Sequence, residues 1–271
     1  MASRAILVEN IEKVFPPAYV GFRAFLSPFS RATQRALQSV SFQVETGESF
    51  AILGANGAGK STLLRILTTL LLPTRGRAEI SGFDVIEKPI SVRRSVGFHS
   101  GAEVGFYARL SARQNLQFFA RLRNLSSKEA SRRISETAER VGITQALDRQ
   151  VRTLSSGTVQ RLSLARAVMH GPSVLLLDEP TRSLDPLAAA DFRKFVRGDL
   201  IDRHGTTLLF ASHSLTEVEA LADRVALLDA GRLLFCGSLN ELRARTSSGS
   251  TEEAMADLIR RSSGQQKDSR S

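Results

Sequence analysis

The residues Gly54, Ala55, Asn56, Gly57, Ala58, Gly59, Lys60, Ser61 and Thr62 follow the apolar run Phe50-Ala51-Ile52-Leu53 and precede a second apolar stretch. The spacing G-x-x-x-x-G-K-S between a strand and a helix is that of a phosphate-binding loop. Glycines let successive backbone N–H groups turn toward one centre, and the helix that follows adds the positive end of its dipole. In that setting the Lys60 ammonium reaches the β and γ phosphates of a nucleoside triphosphate, and the Ser61 hydroxyl ligates Mg²⁺.

A second group of reactive residues is Asp178-Glu179, directly after Val174-Leu175-Leu176-Leu177. A carboxylate at the end of a buried strand beside such a loop is placed to hold the metal, which is the role expected of Asp178. Glu179 is then placed to polarise a water for attack on the γ phosphate. A third group is Ser155-Ser156-Gly157 at the start of an Ala- and Leu-rich helical stretch. It reads either as a simple helix cap or as a second anion site without a phosphate of its own.

The elements that must carry these groups are legible as alternating short strands and helices. Ile6, Val8 and Ile11 alternate with polar residues as one strand, and Val40, Phe42 and Val44 as another, closed by Gly47. Residues 49–53 read as a buried strand and residues 61–72 as a helix stopped by Pro73. Residues 112–171 are mostly helical in pattern, with a capping box expected at Ser126 and Glu129. Residues 174–177, 207–211 and 225–228 are short, continuous and β-rich, as central parallel strands covered on both faces should be. Asp229-Ala230-Gly231 turns into a terminal hairpin. Beyond Arg245 one short helix is expected over residues 251–261, followed by disorder over 262–271.

Composition narrows the class. Hydrophobic residues at 42% and charged residues at 24% fit a soluble globular chain. No apolar run is long enough to span a bilayer, and the start lacks a signal-peptide core. The single Cys236 excludes an intrachain disulfide and fits a reducing compartment, so a cytosolic chain is expected. The net charge of +10 fits a nucleic-acid surface, an anionic membrane surface or simply an Arg-rich composition, since the arginines are scattered.

Taken in order, these motifs resemble those of ABC-transporter ATP-binding subunits, over roughly residues 5–245. Residues 54–61 look like Walker A, Asp178-Glu179 like Walker B with its catalytic glutamate, and residues 154–157 like the signature motif. Ser183-Leu184-Asp185 resembles the D-loop and His213 the switch histidine. The resemblance implies an α/β P-loop NTPase fold with a mainly parallel sheet, an N-terminal antiparallel β subdomain and an inserted helical subdomain near residues 100–165. It implies ATP and Mg²⁺ as ligands, and catalysis by Lys60, Glu179 and His213. It also implies a head-to-tail dimer, with itself or a homologous ATPase, in which each ATP meets Walker A of one subunit and Ser155, Ser156 and Gly157 of the other. Asp185 would lie at that junction. Phe15 matches the aromatic that stacks on adenine, with a core position as its other reading.

Three features depart from the family pattern: first, the signature reads Ser155-Ser156-Gly157 where Ser-Gly-Gly is commoner, with Thr158 in place of the usual glutamine, although the phosphate-facing Ser155 and Gly157 remain. No glutamine follows Val96-Gly97-Phe98, where the chain reads His99-Ser100-Gly101-Ala102-Glu103. Glu103 is the favoured substitute at the metal, with His99 or a retained water as alternatives. Residues 16–35, with three prolines and several aromatics, lengthen the connection between the first two strands. They lie either in solvent or against a membrane partner. The reading is the ATP-hydrolysing subunit of an exporter, peripheral on the cytosolic face of the membrane. A separate permease would dock near residues 98–110, through Phe106 and Tyr107. A soluble ABC ATPase acting on nucleic acid or the ribosome is the alternative. One cassette, one cysteine and no heptads argue against it, so no nucleic acid is expected.

Overall fold

The computed structural model describes residues 3–16, 34–101, 105–245 and 250–268, with side chains to residue 262. Strands β1 (Arg4–Phe15) and β2 (Gln34–Glu45) pair antiparallel, and β1 also pairs antiparallel with β4 (Arg75–Ile80). With the short β5 (Phe83–Asp84) they make a sheet of order β2-β1-β4-β5. Ile6, Val8 and Ile11 are buried together with Val40, Phe42 and Val44 of β2, as period-2 alternation requires of a sheet with one covered face. Phe15 pairs with Gln34, so the chain leaves and re-enters this sheet at adjacent points. The segment 17–33 between them lies outside the described residues.

A second sheet has the order β10-β9-β3-β8-β7-β6. It contains β3 (Ser49–Leu53), β6 (Val96–Ser100), β7 (Val174–Asp178), β8 (Thr207–Ser212) and β9 (Arg224–Asp229), all parallel, with β10 (Arg232–Ser238) antiparallel at the edge. The continuous apolar runs follow from burial on both faces. Ala51, Leu53, Leu175, Leu177 and Phe210 pack toward one core, while Phe50, Ile52, Leu176 and Leu209 pack toward the other. The second core is shared with helix α1 (Lys60–Leu67) and the N-terminal sheet.

α2 (Pro89–Ser95) leads into β6. Between β6 and β7, helices α3 (Ala112–Leu122), α4 (Ser127–Arg140) and α5 (Ser156–Val168) pack through Leu116, Ala120, Ile134, Ala138 and Leu162, all buried. α6 (Pro186–Phe195) continues into a π-helical stretch (Val196–Arg203) before β8. α7 (Leu215–Leu221), α8 (Leu239–Arg243) and α9 (Thr251–Asp268) complete the described chain. No helix among the described residues is long and apolar enough to cross a membrane.

Three local expectations change. α1 ends at Leu67, not at residue 72: the Thr68 hydroxyl donates back to the carbonyls of Leu64 and Arg65, and Thr69 turns left-handed at φ 62°. Leu70 and Leu72 are thereby left exposed. Ser126 caps α4 by accepting from Glu129 N, but the Glu129 carboxylate turns to Arg132 and Arg133 instead of closing the box. The helix expected over residues 251–261 is longer, α9 running to Asp268, while residues 269–271 lie outside the described residues. Its first turns dock through Ala254, Met255 and Leu258, and a nucleated helix propagates cheaply.

His99 is fully buried, with Nδ1 3.0 Å from Ser163 Oγ of α5 and its ring 5.9 Å from that of Phe192. Burial, and secondarily the charge of Arg166, pushes its pKa down from 6.5 to about 4. The folded state therefore holds His99 neutral while the unfolded chain takes up a proton below pH 6.5. The resulting stability is complete above pH 6.5 and is lost as pH falls toward 4, by about 3 kcal/mol in all. His99→Leu should flatten the decline of urea-unfolding free energy between pH 7 and 4.5. A slope equal to the wild type's would contradict the assignment.

Candidate functional site

Because β3, β6, β7 and β8 are parallel, their carboxyl ends lie along one edge of the sheet, where ligands gather in open α/β folds. β3 ends at Leu53 beside Ser212 of β8, and Asp178 of β7 pairs with Ala211. The loop from Gly54 to Gly59, the Asp178-Glu179 pair and His213 therefore emerge side by side.

The loop's shape needs its glycines. A Cβ on Gly54 would stand 2.2 Å from the Leu228 carbonyl oxygen, so this residue admits β9 at close range. Gly59 caps α1 with φ 108°, a left-handed conformation that other residues adopt only under strain. The β9–β10 turn braces the loop from behind, with Gly231 N donating to the Ala58 carbonyl at 2.9 Å.

Lys60 is the first residue of α1 and is almost completely buried. Its ammonium donates to the carbonyls of Gly54 at 2.7 Å and Ala55 at 3.2 Å and lies 3.2 Å from Glu179 Oε1. Glu179 Oε2 stands 2.6 Å from His213 Nδ1. Glu179 itself takes φ 49°, the kind of local strain that folds retain at functional positions. Ser61 Oγ donates to Asp178 Oδ1 at 3.0 Å. Burial pushes the Asp178 carboxyl above its usual range, partly offset by this hydrogen bond.

A cavity of about 480 Å³ opens over the loop, lined by Asn56, Gly57, Gly59, Lys60, Ser61 and Thr62 with Glu179 on its wall. Phe15 stands at its rim with Lys13 Nζ 5.1 Å over the ring, so the cavity position and not the core is the one found. Sequence reasoning missed Arg35, Gln38, Arg182 and Ala230 as site residues, which line the cavity together with Gln34 and Ala36. No motif marks them, although Gln38 Nε2 donates to the Ala230 carbonyl at 2.8 Å and so ties β2 to the β9–β10 turn.

The remaining expected residues stand elsewhere. Ser155 caps α5 by accepting from Thr158 N at 3.3 Å, and Ser155, Ser156 and Gly157 line neither of the cavities around the loop. Asp185 caps α6, its Oδ1 accepting from Leu187 N at 3.1 Å and Ala188 N at 3.0 Å. Gly157 lies against Leu184 and Ala188. Glu103 falls outside the described residues. His99, the other expected substitute at the metal, is corrected: it points to the opposite face of β6, toward α5.

The residues present suit a nucleoside triphosphate with a divalent cation. A deeply set ammonium and a cavity of this size match phosphates, and a hydroxyl–carboxylate pair 3.0 Å apart offers hard oxygens for Mg²⁺. A loop, lysine and strand-end carboxylate so arranged define a P-loop nucleoside triphosphatase.

Within that class the family is specific. Residues 37–182 match the ABC transporter family, ABC_tran. The chain is 39% identical over 208 residues to the ABC transporter ATP-binding protein NatA of Bacillus subtilis, covering 77% of this chain and 84% of that one. It is 36% identical over 265 residues to the daunorubicin resistance ATP-binding protein DrrA3 of Streptomyces coeruleorubidus, covering 98% and 76%. The solved structure of cbiO1 from Clostridium perfringens, part of the ABC transporter complex cbiONQ, aligns with TM-score 0.74 at 26% identity, covering 89% and 91%. The chain belongs to the ABC transporter ATP-binding family and is one of its ATPases.

Lys60→Ala removes the charge that both the loop carbonyls and Glu179 surround. It should lower ATP turnover at least about a hundredfold, the scale of losing a charge-stabilising group. Turnover within twofold of wild type in a phosphate-release assay would contradict the site.

Proposed function

We propose that the chain binds and hydrolyses ATP as one half of a head-to-tail pair and thereby powers export through a separate membrane permease. The observation that carries this reading is the position of Ser155-Ser156-Gly157. They form a well-capped helix N-terminus, suited to an anion, that lines neither cavity around the loop of its own chain. A second copy, or a homologous ATPase, gives that helix end a phosphate to meet. Leu184 of the D-loop and Ala188 lie beside Gly157, and Leu187 next to them is exposed.

In this reading Lys60 leaves Glu179 and turns to the β and γ phosphates of ATP, while backbone amides of the loop hold the phosphate oxygens. Phe15 supports the adenine. Ser61 and Asp178 hold Mg²⁺, which neutralises charge on the phosphates when bound. Glu179 accepts a proton from the attacking water, and ADP and phosphate leave. His213 orients Glu179 through their hydrogen bond and, once Glu179 turns to the water, can donate toward the γ phosphate. Closure on ATP and reopening after hydrolysis perform work only if a partner prefers one state.

The permease surface is an apolar groove of about 300 Å³ lined by Leu70, Phe98, Phe119 and Leu122, with Arg93 and Arg123 at its edges. Leu70 and Leu122 are 65% and 64% exposed, so the groove has apolar side chains open to a partner. Of the expected anchors, Tyr107 is exposed against Phe118, whereas Phe106 is packed under Arg166 at 4.8 Å. DrrA3's name ties that protein to daunorubicin resistance, which supports export as the direction and, with it, a position for this chain at the cytosolic face of a membrane.

Glu179→Gln should bind ATP without turning it over and accumulate as a closed pair, doubling the mass seen by light scattering in the presence of the permease. A persistent monomer there would contradict the pairing. Leu122→Asp should abolish recovery of a membrane protein with the chain from detergent-solubilised membranes while the chain's own ATPase activity persists. Undiminished recovery would place the docking surface elsewhere.

A further inference from the structure

The stretch in which the family pattern lacks its glutamine begins with two polar side chains, His99 and Ser100, and sheet register separates their fates. β6 and β7 run parallel, with Phe98 opposite Leu176, His99 opposite Leu177 and Ser100 opposite Asp178. Neighbours in register project to the same face of a sheet, and that face alternates along each strand. Phe98 and Leu176 both pack into the core on the α1 side, whereas Leu177 belongs to the opposite core, where His99 meets Ser163 of α5. Ser100 therefore shares its face with Asp178, whose Oδ1 already receives the Ser61 hydroxyl at 3.0 Å. Ser61, Ser100 and Asp178 line one cavity of about 360 Å³.

The end of β6 is firmly held. Gly101 N donates to the Asp178 carbonyl at 2.8 Å, and the Gly101 carbonyl accepts from Gln160 Nε2 at 2.8 Å and from Ser183 Oγ at 3.3 Å. A Cβ on Gly101 would stand 2.1 Å from the Glu179 carbonyl oxygen, so the strand end sits directly against the loop after β7. Ser100 is thus presented by backbone that is fixed to the same two residues, Asp178 and Glu179, that flank the metal position. Arg65 and Arg182 also line this cavity. Their charges disfavour a free cation there and favour one that arrives with phosphates.

We propose that the Ser100 hydroxyl, at the end of β6, is an oxygen donor facing the divalent cation. The proposal rests on the reading of Ser61 and Asp178 as the metal pair. The in-register pairing with Asp178 brings this short side chain to the metal pair. A hydroxyl is a hard oxygen ligand suited to Mg²⁺ or Mn²⁺.

The test is Mn²⁺ binding to the full chain with a saturating imido-bridged, non-hydrolysable ATP analogue, read as free Mn²⁺ by electron paramagnetic resonance. Ser100→Ala should raise the Mn²⁺ dissociation constant roughly tenfold, the scale of a lost metal-site contact, with analogue affinity in EDTA unchanged. Ser100→Thr, which keeps the hydroxyl, should hold Mn²⁺ like wild type and guards against a folding defect. Wild-type Mn²⁺ affinity in Ser100→Ala alongside weakened affinity in Ser61→Ala would overturn the role of Ser100 alone. Unchanged affinity in both variants would overturn the underlying metal assignment and this proposal with it.

Discussion

The parallel register of β3, β8, β7 and β6 governs everything at this site, because each reactive group hangs within a few residues of a strand end. Leu53 opposite Ser212, Asp178 opposite Ala211 and Ser100 opposite Asp178 set which side chains meet. A shift of one residue between β6 and β7 would exchange His99 for Ser100 at the face of Asp178. The register is secured by apolar residues that fit two different cores, Leu175 and Leu177 on one side and Val174 and Leu176 on the other. The precision of the polar site is therefore a consequence of hydrophobic packing beneath it.

Within that frame the loop is held by internal charge. Lys60 is surrounded by the Gly54 and Ala55 carbonyls and by Glu179, which is held in turn by His213. The chain's own carboxylate thus stands at the ammonium that a phosphate would claim. In the proposed function, phosphate binding exchanges one anion for another, and the carboxylate so released is the group that would act on water. Binding and activation are linked by one displaced ion pair.

The phosphate loop, the Asp178-Glu179 pair and the buried central strands were legible in the sequence, since each is a local pattern of residue types. Phe15 was legible only as an aromatic near a strand end; its place at the cavity follows from pairing with Gln34 across a long insertion. The end of α1 was misread because Leu70 and Leu72 continue the apolar composition, while Thr68 and Thr69 stop the helix through side-chain hydrogen bonding and a left-handed turn. Arg35, Gln38 and Ala230 carry no motif and reach the cavity through tertiary pairing alone. The face taken by His99 depends on register with β7, which no local stretch of sequence encodes. Helix α9 persists past Arg261 because its beginning is docked, again a tertiary effect.

The central claim is that this chain carries half of each nucleotide site on each of two separate surfaces, Lys60 on one and Ser155 with Gly157 on the other. The direct measurement is nucleotide occlusion in mixtures of two inactive variants, Lys60→Ala and Ser155→Arg, with the permease present. A head-to-tail pair of the two contains one site built from an intact Lys60 and an intact Ser155, so the mixture should occlude nucleotide when neither variant does alone. Absence of occlusion at every mixing ratio, with each variant folded, would contradict the account.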